Sequence, residues 1–90
     1  MEYTTHLGWI HGDGTLAVDT DWPGTVRGWV QVDSFLSDPA AAPEAARQIA
    51  AILSDYPVTA ITICQLLPDP GGHIQSTLRS HLSGYNLIFT

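Results

Sequence analysis

The feature that most constrains the fold is a nearly continuous apolar run, VTAITICQL, at residues 58–66. An uninterrupted series of β-branched and apolar residues is typical of a strand that is covered on both faces. Segments with helical spacing stand before and after this run. Because strand, helix and strand in succession normally form right-handed parallel units, we expect the run to be a central strand of a sheet with parallel neighbours.

Two helices are predicted on either side of this strand. Residues 37–56 (SDPAAAPEAARQIAAILSDY) repeat apolar side chains at helical spacing. Pro43 is tolerated only in a first turn, so SDPAA is expected to be a leading turn, capped by Ser37 or Asp38, and Pro57 ends the helix. The second helix is expected at residues 73–83, before a glycine suited to a C-cap.

The first third of the chain alternates in the manner of β-strands. Residues 3–10 and 25–33 alternate, and 15–20 reads as a strand that returns from the first. Asp13-Gly14 favours a two-residue type I′ turn between the first two strands. A last alternating segment spans residues 85–90. Glycines inside strands, at positions 8 and 28, indicate bulges or sites where an aromatic ring lies over bare backbone.

These elements predict a single α+β domain over residues 1–90 in the order βββαβαβ. The chain length suits one hydrophobic core and leaves no room for a second domain. We expect an antiparallel three-stranded meander that strands four and five continue in a mixed sheet, with two helices packed on it. Strands four and five are expected to be parallel.

The element order is similar to that of the ribonuclease H-like fold, in which three antiparallel strands precede alternating helices and parallel strands. That family's chemistry requires carboxylates on its first and fourth strands to hold divalent cations. The corresponding strands here offer His6 and Gly8, and Thr62 and Cys64. Glu44 at the start of the first helix is the single acidic residue in a suitable place, and one carboxylate does not make a two-metal site. The resemblance therefore implies no activity.

The charge balance constrains the partners. The chain has no lysine, and its three arginines stand against nine carboxylates, for a net charge of −6. Such a surface disfavours direct binding to nucleic acids or anionic membranes and attracts a basic partner. A single cysteine without a disulfide partner fits the reducing cytoplasm, where we expect the protein to reside. We also expect no secretion signal and no membrane span.

Metal, cofactor and catalytic sites are not predicted. Asp13, Asp19 and Asp21 lack the ligand spacing of a calcium loop, and turn chemistry accounts for them. The glycine-rich PDPGGHIQS segment lacks the spacing of phosphate-binding loops. Cys64 beside a histidine remains a feasible nucleophile, but the chain supplies little positive charge to activate it. The histidines do not match zinc spacings, either alone or with Cys64; they are His6, His11, His73 and His81.

The tryptophans are the most unusual residues of the chain. Trp9 and Trp29 lie on predicted strands, where they are expected to pack across strands or under a helix. Trp22 stands between an aspartate and a proline in a loop, where burial is harder. An exposed tryptophan amid carboxylates is typical of a protein-binding hot spot. The predicted partner-binding residues are Asp13, Asp19, Asp21 and Trp22.

The sequence therefore favours a small acidic, non-enzymatic protein that binds a basic surface of another protein. In size and charge the chain is comparable to immunity proteins and phage anti-defence (anti-CRISPR-like) proteins, which block basic nuclease surfaces. One alternative is a homodimeric assembly module that pairs through an edge strand at residues 85–90. The other is a small enzyme or ligand-binding domain with a degenerate ribonuclease H-like topology.

Overall fold

The computed structural model describes residues 6–20, 22 and 28–90. The predicted start of the first strand at residue 3 and that of the third at residue 25 lie outside these ranges. Two helices, α1 and α2, and five strands, β1 to β5, are present in them, and a single short 3-10 turn precedes each helix. The bounds are β1 His6–Ile10, β2 Leu16–Val18, β3 Gly28–Ser34, α1 Ala42–Leu53, β4 Val58–Gln65, α2 His73–His81 and β5 Asn86–Phe89.

The strands form a mixed five-stranded sheet in the order β2-β1-β3-β4-β5. The predicted α+β class and mixed sheet are confirmed, and β4 and β5 are parallel as expected. The predicted three-stranded meander is wrong, because β3 pairs in parallel with β1 rather than antiparallel with β2. Val30 and Val32 of β3 are fully buried, which suits an interior position better than an edge. The sheet thus departs from the three antiparallel strands that open the ribonuclease H-like fold.

The β1–β2 hairpin is present, but its turn is longer than predicted. The His11 amide donates to the Thr15 carbonyl at 2.8 Å, which leaves three residues, Gly12 to Gly14, in the loop. A type I′ turn needs positive φ at both central residues, and Asp13 does not have it. Gly14 alone adopts φ 91 there, and the Asp13 carboxylate accepts a hydrogen bond from the Thr15 amide at 2.9 Å.

Both helices begin at turns that an aspartate caps. The predicted leading turn of α1 is confirmed, since the Asp38 carboxylate accepts from the Ala40 amide at 2.9 Å. Before α2, the Asp69 carboxylate accepts from the amides of Ile74 at 2.9 Å and Gln75 at 3.1 Å. These bonds satisfy amides that a helix start otherwise leaves unpaired. The glycine-rich PDPGG loop is therefore a helix-capping turn.

The hydrophobic core lies between the sheet and the two helices. The α1 and α2 helices contact each other. Because β3, β4 and β5 are successive parallel neighbours, crossovers of the usual right-handed form place both helices on the same face of the sheet. Buried aliphatic side chains fill the space between the layers. They include Leu7, Ile10, Val30, Val32, Leu36, Ile49, Leu53, Ile61, Ile63, Ile74 and Leu78.

The other face of the sheet carries no helix from the part of the chain that the structure describes. We call it the open face. The expected cover of β4 on both faces is not found among the described residues: from Ile61 to Cys64 its side chains alternate between buried and half-buried positions. The strand residues assigned to the open face by register and exposure are His6, Trp9, Ala17, Trp29, Gln31, Asp33, Ala60, Thr62, Cys64, Asn86 and Ile88.

A bulge in β1 decides which side chains reach the open face. Simple alternation groups Leu7 with Trp9, but the pairing register shifts between His6 and Gly8. As a result Leu7 and Ile10 are both buried while Trp9 is exposed. Gly8 also lies against β2, where a Cβ atom would stand 2.0 Å from the Ala17 carbonyl oxygen. The predicted bulge at this strand glycine is confirmed.

Candidate protein-binding face

Two tryptophans project from the open face. Trp9 on β1 is 37% exposed, and Trp29 on β3 is 45% exposed. They lie toward opposite ends of the strands, because Trp9 pairs with Asp33 while Trp29 lies four residues before Asp33 on β3. Both were expected to pack across strands or under a helix, and no helix of the described residues lies over them on this face.

His6 gathers three other side chains of this face, and we call the four the His6 cluster. Its Nδ1 lies 2.8 Å from Oδ2 of Asp19, which follows β2. Its Nε2 lies 3.2 Å from Oδ2 of Asp33 on β3. The Trp9 ring meets the His6 ring edge-on, with 4.8 Å between centroids. The cluster thus ties three adjacent strands together at the surface.

The charge of the His6 cluster is negative in either protonation state of the imidazole. Ionised carboxylates only accept hydrogen bonds, so the doubly protonated ring satisfies both contacts and leaves a net charge of about −1 for the cluster. A neutral ring donates to only one carboxylate, and the net charge is then about −2. All three polar side chains are roughly three-quarters or more buried, at 25%, 19% and 23% exposure.

Apolar residues extend the open face past the carboxyl ends of β3 and β4. Phe35 is 40% exposed and Leu66 is 48% exposed. The Phe35 amide donates to the Ile10 carbonyl at 2.8 Å, and the Leu66 amide donates to the Ser34 carbonyl at 2.9 Å. These bonds continue the ladder, so alternation assigns both side chains to the open-face side.

The predicted partner-binding aspartates are not brought together. Asp13 occupies the turn of the β1–β2 hairpin, and Asp19 lies at the other end, where its amide donates to the Leu7 carbonyl at 2.8 Å. The Thr15 hydroxyl, followed by the Thr15 amide, donates to the Asp13 carboxyl and lowers its pKa. Asp19 belongs to the His6 cluster, whereas Asp21 lies outside the described residues.

Trp22 is half-buried rather than an exposed loop residue. Its ring packs edge-on against Tyr56, with 5.4 Å between centroids, and it contacts the hydrophobic core. Its role in partner binding stays a prediction, but packing already accounts for its presence. The sequence left the exposure of Trp22 open, and the two tryptophans that the structure exposes on the open face are Trp9 and Trp29.

Of the groups considered for metal binding, His6 and Asp19 meet in the His6 cluster. No group of three His, Cys, Asp or Glu side chains suited to a metal ion occurs within residues 6–20, 22 and 28–90. A surface depression of about 530 Å³ along α2 has no histidine, cysteine or carboxylate in its lining of Gly72, Gln75, Ser76, Arg79 and Ser80. Within the same ranges, no helix has the length and apolarity to cross a membrane.

Comparison with protein-family models, with curated proteins and with solved structures found no match for this chain.

Proposed function

We propose that this chain is a non-enzymatic inhibitor that binds another protein through its open face. The observation that carries the proposal is the exposure of Trp9 and Trp29 on the open face. Strand residues are held rigidly, so anchors built on them lose little conformational freedom on binding. Tryptophan is also among the residues most enriched at the energetic centres of protein interfaces.

Charge favours a basic surface on the partner. The chain carries a net charge of −6, and the open face contributes Asp33 and, through the His6 cluster, Asp19. Carboxylates around aromatic anchors accelerate association with a cationic surface, while the anchors set the lifetime of the complex. A nuclease or another nucleic-acid-binding protein has such a surface, and occupying it would block the nucleic acid sterically. Immunity and phage anti-defence proteins exemplify this mode of action.

The dimensions of the face suit a partner that also contacts the loops beside it. Five strands spaced about 4.8 Å apart, with about five residues each, make a flat area of about 400 Å². A standard interface takes about 800 Å² from each partner. The exposed Phe35 and Leu66, which continue the face, supply part of the difference.

The test is affinity capture from a lysate of the native host with the wild-type chain and matched variants. Trp9→Ser and Trp29→Ser are expected to reduce capture of a specific partner at least tenfold, and a polyanion such as heparin is expected to compete with the chain. Val18→Ser is the control. Val18 is exposed to a similar degree, at 39%, but it lines a depression beside α1 and not the open face. Equal capture by all variants would refute the proposed face.

A second candidate function is assembly through β5. This strand lies at the edge of the sheet, as predicted, and edge strands offer unpaired backbone groups to another chain. In β5 the outward groups belong to Leu87 and Phe89, because Thr90 bonds both Ile63 and Gln65 of β4. Sedimentation velocity from about 1 to 100 μM distinguishes the two: a dimer that Phe89→Pro abolishes supports assembly, and a monomer throughout rejects it.

A further inference from the structure

We infer that the His6 cluster is the subsite of the open face that receives an arginine side chain of the partner. This inference rests on the proposed function and specifies the partner group. The ligand chemistry is a guanidinium group, which is planar, always positively charged and able to stack on an aromatic ring.

The register of the sheet provides the two parts of such a subsite side by side. Trp9 and Asp33 are direct partners across the β1–β3 ladder, so their side chains leave the sheet on the same face about 5 Å apart. His6 contacts both of them, at 4.8 Å between ring centroids and 3.2 Å from Nε2 to Oδ2. An exposed indole ring thus stands beside a carboxylate that a third side chain holds in position.

The Asp33 carboxylate has room for a second donor. Its Oδ2 atom takes the contact with His6, and its Oδ1 atom has no hydrogen bond among the residues that the structure describes. A guanidinium stacked on the Trp9 indole could donate to Oδ1. The Asp33 carboxylate is negatively charged, so a guanidinium that donates to Oδ1 gains a favourable charge interaction as well as a hydrogen bond.

Three other carboxylates that the structure describes do not offer this combination. Asp13 accepts bonds from Thr15, and Glu44 is engaged by Arg47 and Gln48. Asp69 accepts from two amides at the start of α2. Trp29, the other exposed tryptophan of the open face, pairs with Ala60 rather than with an acid.

A lysine ammonium would fit less well. It is a compact, strongly hydrated charge that cannot combine ring stacking with directional donation from one plane. The subsite should therefore bind arginine more tightly than lysine. General attraction to an acidic protein would not distinguish the two cations.

The experiment is an NMR titration of the 15N-labelled chain with the blocked amino acid N-acetyl-arginine amide, and separately with N-acetyl-lysine amide, at 150 mM salt. We expect the Trp9 indole N–H signal to shift with the arginine probe, with at least threefold weaker binding of the lysine probe. Asp33→Asn, which can still accept from His6, is expected to weaken arginine binding at least fivefold. Asp55→Asn, an exposed carboxylate outside the cluster, is the control.

Equal affinities for the two probes, or equal losses in Asp33→Asn and Asp55→Asn, would overturn the inference. A backbone spectrum of Asp33→Asn that matches the wild type shows that the variant folds. The titration needs no partner protein, so its result is separate from affinity capture. Capture that depends on Trp9 and Trp29, without selective binding of the arginine probe, would leave the inhibitor function standing and remove this subsite.

Discussion

The two faces of the same sheet differ more than their shared strands suggest. On β4, Ile61 and Ile63 face the helices and are fully buried, whereas Thr62 and Cys64 between and after them are half-buried on the open face. On β5, Leu87 is 7% exposed and its neighbour Ile88 is 46% exposed. One residue step along a strand therefore moves a side chain from the stabilising core to the surface that we propose binds a partner.

The composition of each face reflects this division. The covered face is built from aliphatic side chains, which gain free energy by leaving water. The open face combines two tryptophans with polar and small residues. Substitutions on the covered face should therefore change the free energy of unfolding, and those on the open face should change binding.

The largest effect is expected from Ile63→Ala on the covered face. Removing a fully buried aliphatic side chain leaves a cavity and should lower the free energy of unfolding by about 4 kcal/mol. Cys64→Ala, one position further along the same strand, should change it by no more than about 0.5 kcal/mol. Urea denaturation of both variants measures the difference, and similar losses would mean that the open face is covered in solution.

Gly8→Ala tests the bulge that separates the two faces on β1. The new Cβ atom would meet the Ala17 carbonyl oxygen at 2.0 Å, and neither backbone can move aside without disturbing the β1–β2 pairing. We expect a loss of about 3 kcal/mol in the free energy of unfolding. Gly84→Ala is the matched control, since a Cβ atom there would meet nothing within 4 Å. Equal stability of the two variants would contradict the close approach.

The same bulge shows where sequence reasoning stopped. Alternation and helical spacing predicted the α+β class, both helices and the approximate bounds of β4, because each depends on local patterns. The face of Trp9 depended on a one-residue register shift, which alternation does not reveal. The available signal was a glycine inside an alternating segment. It indicated a bulge but not which side chains the bulge would move to the other face.

The position of β3 was beyond local patterns for a different reason. A short hairpin followed by another strand is compatible with a meander or with a crossover. The choice depends on which strand takes an interior position, with a neighbouring strand on each side. β3, which carries the buried valines, lies beside β1 and not beside the three-residue β2. The His6 cluster on the open face followed from that arrangement and could not be predicted from residue spacing.

The tryptophans provide a smaller test of the same division. Trp22→Ser should cost about 2 kcal/mol of unfolding free energy, because the ring is half-buried against Tyr56 and the core. Trp29→Ser should cost less than about 1 kcal/mol, because its ring is 45% exposed on the open face. Thermal or urea denaturation ranks the two, and a larger loss at Trp29 would reverse our assignment of structural and binding tryptophans.

The smallest effect concerns Glu44, which connects the helix layer to the sheet edge rather than belonging to either face. Hydrogen bonds from the Arg47 side chain and then from Gln48 lower the pKa of this carboxyl to about 2 from its usual 4.5. Gln48 in turn accepts from the Leu16 amide of β2 at 2.7 Å. A carboxyl whose pKa is lower in the folded state stabilises that state at pH values above the pKa of the unfolded chain. The contribution is lost as the pH falls through the pKa of the folded state.

Glu44→Gln is therefore expected to lower the melting temperature slightly at pH 6, and the gap to the wild type should close between pH 4.5 and about pH 2. Other titrating groups are common to both proteins, so their contributions largely cancel in the difference. The effect is small because the side chains are solvent-exposed. Replacing Arg47 by Gln in both backgrounds should shrink the gap at pH 6, since Arg47 is the main cause of the shift. A gap that persists unchanged at pH 2 would show that the loss comes from packing at the helix start and not from the charge of Glu44.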